Sequence, residues 1–256
     1  MDVPIREKER IDDLQYKGLR LIQDPDDFCF GIDAVLLANY ARAAAGDTVV
    51  DLCTGSGVIP ILMSGKTNAS KLIGVEIQSK SAETAERSVK LNDLDKKVEI
   101  LNEDICRLPD VMRKGSVDVV TCNPPYMIAD HGLHGDDEAK NIARFEVRCT
   151  LEDVVGTAAA LLKTGGMFYM IHRPFRLTEI MVTLNKYKLE PKRMRLVYPY
   201  VDKEPTMVLI EAKRDARSRI TVESPLIVYE SPGVYTAELL KFYGMTEEAD
   251  DGEGRI

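Results

Sequence analysis

The residues best suited to chemistry are Asn123-Pro-Pro-Tyr126, which follow the apolar run Val117–Cys122 directly. An asparagine side-chain oxygen and a proline carbonyl oxygen are both acceptors, and proline brings no N–H of its own. Asn123 and Pro124 can therefore take the two hydrogens of one planar amine. Tyr126 offers a flat face on which a planar ring can stack. The nitrogen of such an amine is a weak nucleophile, because its lone pair is delocalised into the neighbouring π system. A site that aligns it and favours its rehybridised form works by positioning and electrostatics, without a covalent intermediate. A rigid Pro-Pro turn with no chemical role is the plainer alternative.

A second constellation is Asp51-Leu-Cys-Thr-Gly-Ser-Gly57, between the strand-like Thr48–Leu52 and the apolar run Val58–Met63. Glycines there allow positive φ and close approach of a ligand, and doubly wound sheets bind ligands at the carboxyl ends of their strands. Pro60 stands where the dinucleotide fingerprint Gly-x-Gly-x-x-Gly needs its third small residue, so that fingerprint fails. Glu76 ends the next strand, 19 positions after Gly57, where an acid can accept hydrogen bonds from ribose hydroxyls. The string resembles the glycine motif of methyltransferases that use S-adenosylmethionine (SAM). That resemblance implies SAM as cofactor, held by Thr54, Gly55 and Gly57, with Asp51 near its aminoacyl end. It also places Asp104 against the adenine amine of SAM; a loop carboxylate capping the next turn is the alternative. SAM is positively charged, so a neutral amine attacks it and no strong general base is required.

The elements that must position these residues alternate. After Thr48–Leu52 and the helix from Val58 come a strand at Lys71–Glu76 and an amphipathic helix over Ser81–Asn92. Strands follow at Lys97–Leu101 and Val117–Cys122. A helix over Leu151–Lys163 stops at Gly165-Gly166, then come a strand at Met167–Ile171 and a helix over Leu177–Tyr187. Such alternation predicts a parallel sheet covered on both faces. Lys192–Tyr198 and Thr206–Lys213 are separated by a gap too short for a helical crossover, so they should pair antiparallel. The fold class expected is α/β, similar to the seven-stranded, Rossmann-like class I methyltransferase sheet, mostly parallel with an antiparallel C-terminal hairpin. Before it, Leu14–Gln23 reads as a short hairpin around Gly18, and Ala34–Ala43 as a helix with Asp33 placed to cap it. The expected divisions are an N-terminal extension with a cofactor-capping helix (1–45), the methyltransferase domain (46–219), a C-terminal extension (220–245) and a disordered tail (246–256).

The resemblance widens with Phe28–Leu37, DLCTGSGVIPILMS, Gly74–Gln78, NPPY, Cys149–Val155 and Asp202–Pro205, which occur in that order. Together they look like the bacterial family that methylates the exocyclic amine of adenine 37 in valine tRNA, over roughly Asp13 to Gly244. This implies tRNA as partner, with an adenine stacked on Tyr126 and its amine held by Asn123 and Pro124. An anticodon-loop base is already unpaired, so extruding it costs little. Phe30 and Asp33 would help close the cofactor site, although a helix cap and core packing explain them nearly as well. One departure is Phe145, in Ala143-Arg-Phe-Glu146, where the family pattern has histidine; Phe145 can stack on substrate or simply pack. A protein-glutamine methyltransferase using the same turn is the competing reading. It is disfavoured by the short, extended-looking N-terminal stretch, where such enzymes carry a helical recognition domain. A small-molecule or O-methyltransferase and a non-catalytic SAM- or RNA-binding domain complete the alternatives.

The net charge of −8 is the wrong sign for indiscriminate nucleic-acid binding. Yet Arg173–Arg219 holds 12 Lys+Arg against 6 Asp+Glu, which makes Arg173, Arg176, Lys192, Arg193 and Arg195 candidate phosphate contacts. The polar segment Met127–Arg144 reads as a lid over the substrate. Its His131, His134, Asp136 and Asp137 show no tight ligand frame, so no metal is expected. Five scattered cysteines read as reduced, mostly buried thiols. No apolar run spans a bilayer and none reads as a signal peptide, so a cytoplasmic enzyme without membrane contact is expected. The sequence leaves the oligomeric state open.

Overall fold

The computed structural model describes residues 3–26, 29–126 and 149–245. Its centre is a parallel array: β3 (Thr48–Leu52), β4 (Lys71–Glu76), β5 (Val98–Asn102), β6 (Val117–Cys122) and β7 (Leu162–His172). In space they run β5-β4-β3-β6-β7. β9 (Met207–Arg214) pairs antiparallel with β7, and β8 (Leu189–Tyr198) antiparallel with β9. This is the expected mixed sheet. It is wider than seven strands, because β10 (Thr221–Val222) and β11 (Leu226–Ile227) both add parallel to β8. They cover part of a backbone edge that would otherwise be open for pairing.

Side chains alternate across the strands. Val49, Leu72, Val119 and Leu209 bury on one face, against α1 (Ile32–Tyr40), α2 (Val58–Lys66) and α3 (Ser79–Leu91). Val50, Leu52, Val120 and Ile210 bury on the other. There they meet α5 (Leu151–Leu161) and α6 (Leu177–Lys186), with the one-turn α4 (Leu108–Val111) beside them. Each fully buried Leu or Ile contributes about 1.5–3 kcal/mol by leaving water.

The flanking segments are sewn onto this core. β1 (Arg10–Asp13) and β2 (Arg20–Gln23) form a hairpin around Gly18 as expected, but its first strand lies before Leu14, where the hairpin was expected to start. Arg87 of α3 holds Glu9 at 2.5 Å, with both side chains nearly enclosed. The Ile22 N–H donates to Ser88 Oγ at 3.0 Å. At the other end lie the hairpin β12 (Tyr229–Ser231) and β13 (Val234–Tyr235) and the helix α7 (Ala237–Phe242). The Lys66 ammonium donates to the Phe242 carbonyl at 2.6 Å.

Three local expectations change. The pair Gly165-Gly166 does not stop a helix: α5 ends at Leu161 and the glycines lie inside β7, where Gly165 has φ +81°. The β6/β7 register shifts there between Val117 and Val119, so the glycines make a bulge. Asp33 is not the N-cap of α1, which is Gly31; it stands in the first turn, where its Oδ1 accepts the Ala34 N–H at 3.0 Å. None of the five cysteines is in a disulfide, but Cys122 alone is fully buried and Cys106 is exposed. Phe145, the segment Met127–Arg144 and the tail 246–256 lie outside the described residues.

Candidate active site

Strand register brings the two constellations together. Leu52 and Cys122 are partners in the β3/β6 ladder, so the loop from Cys53 and the turn from Asn123 leave the sheet side by side. Chain order reverses here, with β4 on one flank of β3 and β6 on the other, which opens a crevice at the carboxyl edge. The cleft encloses about 1130 Å³, open solvent at its mouth included, and is lined by Phe30, Thr54, Gly55, Glu76, Asp104 and Asn123 among others.

The glycine loop beside the cleft packs closely on α3. Gly57 has φ +83°, and a Cβ there would sit 3.1 Å from the Ala85 Cβ. Glu76 is 5% exposed. Its carboxylate accepts the Gly55 N–H and the Gln78 N–H, each at 2.9 Å, and burial raises its pKa. The acid therefore fixes the glycine loop while lining the cleft. Asp104 caps the turn Ile105–Arg107 by accepting the Cys106 N–H at 2.9 Å, and it also lines the cleft.

Asp51 sits one layer deeper than expected. It is 1% exposed, and its two oxygens accept the Thr54 and Thr121 hydroxyls at 2.6 Å each. It shapes the loop from beneath. Burial pushes its carboxyl up from the ordinary 3.8 to about 7, against the pull of both hydroxyls. Folded protein therefore holds more protons on Asp51 than unfolded protein between about pH 4 and 7. The stability Asp51 contributes is greatest below pH 4 and declines as pH rises to 7. Denaturant titrations of wild type and Asp51→Asn are expected to differ by an amount that falls, to wild type's disadvantage, by on the order of 2–4 kcal/mol across that window. A pH-independent difference would contradict this.

At the turn, the Tyr126 hydroxyl donates to Asp33 Oδ2 at 2.7 Å and also lies against the Asn123 carboxamide. Asp33 thus clasps Tyr126, a contact that no local pattern announces. The Tyr126 ring is not an open platform on both sides. The Arg173 guanidinium lies over one face, 4.9 Å from its centroid, and His172 packs edge-on at 5.3 Å. His172 is fully buried and accepts the Arg173 N–H on Nδ1 at 2.7 Å. Burial, with Arg176 and Arg173 nearby, pushes its pKa down to about 3, so the ring is neutral.

Of the expected phosphate contacts, Arg173 lies beside the turn. Lys192 is mid-strand in β8, donating to the Arg217 carbonyl. The other three are corrected, because carboxylates already engage them. Arg176 is buried and forks onto Glu179 at 2.9 and 2.6 Å. Arg193 bridges Glu211 and Glu223. Arg195 pairs with Glu238 and caps the Ser224 carbonyl.

Similarity to known proteins agrees with this geometry. The model of the methyltransferase small domain family matches residues 30–187. A tRNA1(Val) (adenine(37)-N6)-methyltransferase of Porphyromonas gingivalis is 26% identical over 219 residues, covering 82% of this chain and 85% of that protein. One from Phocaeicola vulgatus is 26% identical, covering 83% and 89%. Among solved structures, a predicted O-methyltransferase of Agrobacterium tumefaciens superposes with a TM-score of 0.67 at 23% identity, covering 84% of this chain and 97% of that one. Geranyl diphosphate C-methyltransferase of Streptomyces coelicolor, solved with S-adenosyl-L-homocysteine, gives 0.53 at 17% identity, covering 71% and 79%. At these identities the structural likeness speaks for the shared fold.

Proposed function

The chain belongs to the methyltransferase small domain family, and from that premise we propose that it transfers the methyl group of SAM to the exocyclic amine of an unpaired adenine in tRNA. The observation that carries this reading is the Asn123 turn in the wall of the same cleft that Glu76 lines. The named activity of relatives that align over most of both chains supports the choice of acceptor, and with it a position in the anticodon loop of valine tRNA.

SAM supplies an electrophilic methyl group on a cationic sulfur. Glu76 would accept from its ribose, Gly55 would let it approach the backbone, and Asp104 would accept from its adenine amine, while Gly57 would shape the loop that holds it. Asn123 Oδ1 and the Pro124 carbonyl take the two hydrogens of the target amine and turn its lone pair toward the methyl group. Tyr126 has one hydroxyl hydrogen, and the Asp33 carboxylate is the stronger acceptor for it. In the structure Asn123 Oδ1 faces the phenol oxygen; with the hydroxyl hydrogen on Asp33, the carboxamide would turn over to meet that oxygen with its NH2 end and present Oδ1 to the substrate. The base reaches Tyr126 on the ring face opposite Arg173. The amine attacks while neutral, and its surplus proton leaves afterwards to water.

Tyr126→Phe keeps the ring and removes the hold on Asn123. It is expected to lower kcat about tenfold with SAM affinity unchanged; an unchanged kcat would remove Asp33 and Tyr126 from the positioning of Asn123.

Incubation with labelled SAM and unmodified total tRNA, followed by nucleoside analysis, tests the whole reading. Label on the adenine amine is the expected result. Label on protein glutamine alone would replace RNA by a protein acceptor. The site of action we infer is cytoplasmic, where tRNA matures; no helix among the described residues is long and apolar enough to cross a membrane.

A further inference from the structure

Gln23 is the last residue of β2 and is only 3% exposed, yet neither Oε1 nor Nε2 of its carboxamide has a hydrogen-bond partner. Buried amides are rarely left in this state, because each unpaired donor or acceptor loses its water and gains nothing. The polar side chains of neighbouring residues bond to one another, and none bonds to it. Asp24 takes the Lys80 ammonium on one oxygen and the Asp26 N–H on the other. Thr84 donates to the Lys80 carbonyl and accepts from Arg87. Ser88 donates to the Thr84 carbonyl and accepts the Ile22 N–H.

The backbone leaves Gln23 little freedom to move away. It is paired in register with Arg10 across the hairpin, and the hairpin is pinned to α3 by the enclosed Glu9–Arg87 pair. Gln23 is among the residues that line the cleft, with Phe30, Ala34, Thr84 and Glu76, and its carboxamide is buried in that wall.

We propose that Gln23 is a direct ligand of the methyl donor, its carboxamide donating to one polar group of bound SAM and accepting from another. This rests on SAM occupying the cleft and not on the identity of the methyl acceptor. SAM carries hydroxyls, an ammonium group and a carboxylate, so it can satisfy both ends of one amide. The N-terminal hairpin is then a wall of the cofactor site, not an appendage to it.

A residue kept for a ligand at the expense of the ligand-free fold gives a two-sided test. Gln23→Met has similar volume and no hydrogen-bonding end. Without SAM, it is expected to melt a few degrees higher than wild type by calorimetry. By titration calorimetry, it is expected to bind SAM about 10- to 30-fold more weakly. A lower melting temperature with unchanged SAM affinity would make Gln23 a structural residue and overturn the proposal. As a measurement on wild type itself, the side-chain amide signals of Gln23 in 15N-labelled protein are expected to shift on addition of SAM; no shift at saturation would also overturn it. Failure of wild type to bind SAM at all would remove the donor assignment and this proposal together, whereas full affinity in Gln23→Met removes this proposal alone.

Discussion

Asn123→Ala is expected to lower kcat for methyl transfer about 10³-fold while leaving the Kd for SAM within twofold. The loss has two parts. Alanine removes the acceptor that takes one amine hydrogen, and it removes the geometric constraint that points the lone pair at the methyl group. Removing one preorganised hydrogen-bonding group that acts at the reacting centre commonly costs 10²–10³ in rate, and small misplacements add to that. The fold should be unaffected. Asn123 caps no helix, and its contact with Tyr126 can be lost while the Tyr126–Asp33 bond at 2.7 Å persists. Steady-state kinetics with RNA and calorimetric titration with SAM separate the two quantities. Equal losses in both would mean that Asn123 belongs to the cofactor site and not to the acceptor site.

Glu76→Ala is the complementary change. Its carboxylate accepts two backbone N–H groups, at Gly55 and Gln78, from within the cleft wall. Alanine releases the glycine loop and deletes the acceptor that we propose for the ribose. Hydrogen bonds to a charged group contribute roughly 1.5–3 kcal/mol each, so the Kd for SAM is expected to rise at least 100-fold. kcat at saturating SAM should fall far less, because Glu76 does not face the acceptor amine. Glu76→Gln should lie between, since a carboxamide oxygen can still accept one of these bonds. A Kd unchanged in Glu76→Ala would mean that the cleft holds its ligand by other groups.

The parts of this site that were legible in the sequence are those whose residues are close together in the chain. Val117–Cys122 was bounded to the residue, because a short β-branched run ended by Asn-Pro-Pro has one natural stop. The glycine loop and Glu76 could be read because they flank consecutive strands. What escaped is long-range. Asp33 clasps Tyr126 from 93 positions away with one oxygen, while the local pattern announces only its bond to the helix start through the other. Arg193 and Arg195 looked like free cations because Glu211, Glu223 and Glu238, which neutralise them, lie far along the chain. Gln23 carried no signal at all; only burial without a partner sets it apart. The two-residue strands β10 and β11 are too short for any periodic pattern, and the glycine pair in β7 reads locally as a helix stop until its bulge is seen.

Legibility also failed where one residue type serves two roles. Asp51 opens the glycine motif and was expected beside the ligand, but its two hydroxyl partners, Thr54 and Thr121, hold it under the loop. Tyr126 was expected as a flat platform, but the Arg173 guanidinium covers one of its faces.

The central claim is that an exocyclic adenine amine is the group methylated. Its most direct test uses two RNA hairpins with the sequence of a valine tRNA anticodon stem-loop, one with adenine at the target position and one with purine, which lacks only that amine. The account predicts transfer of one methyl group per adenine hairpin and none to the purine hairpin. Equal transfer to both would contradict it.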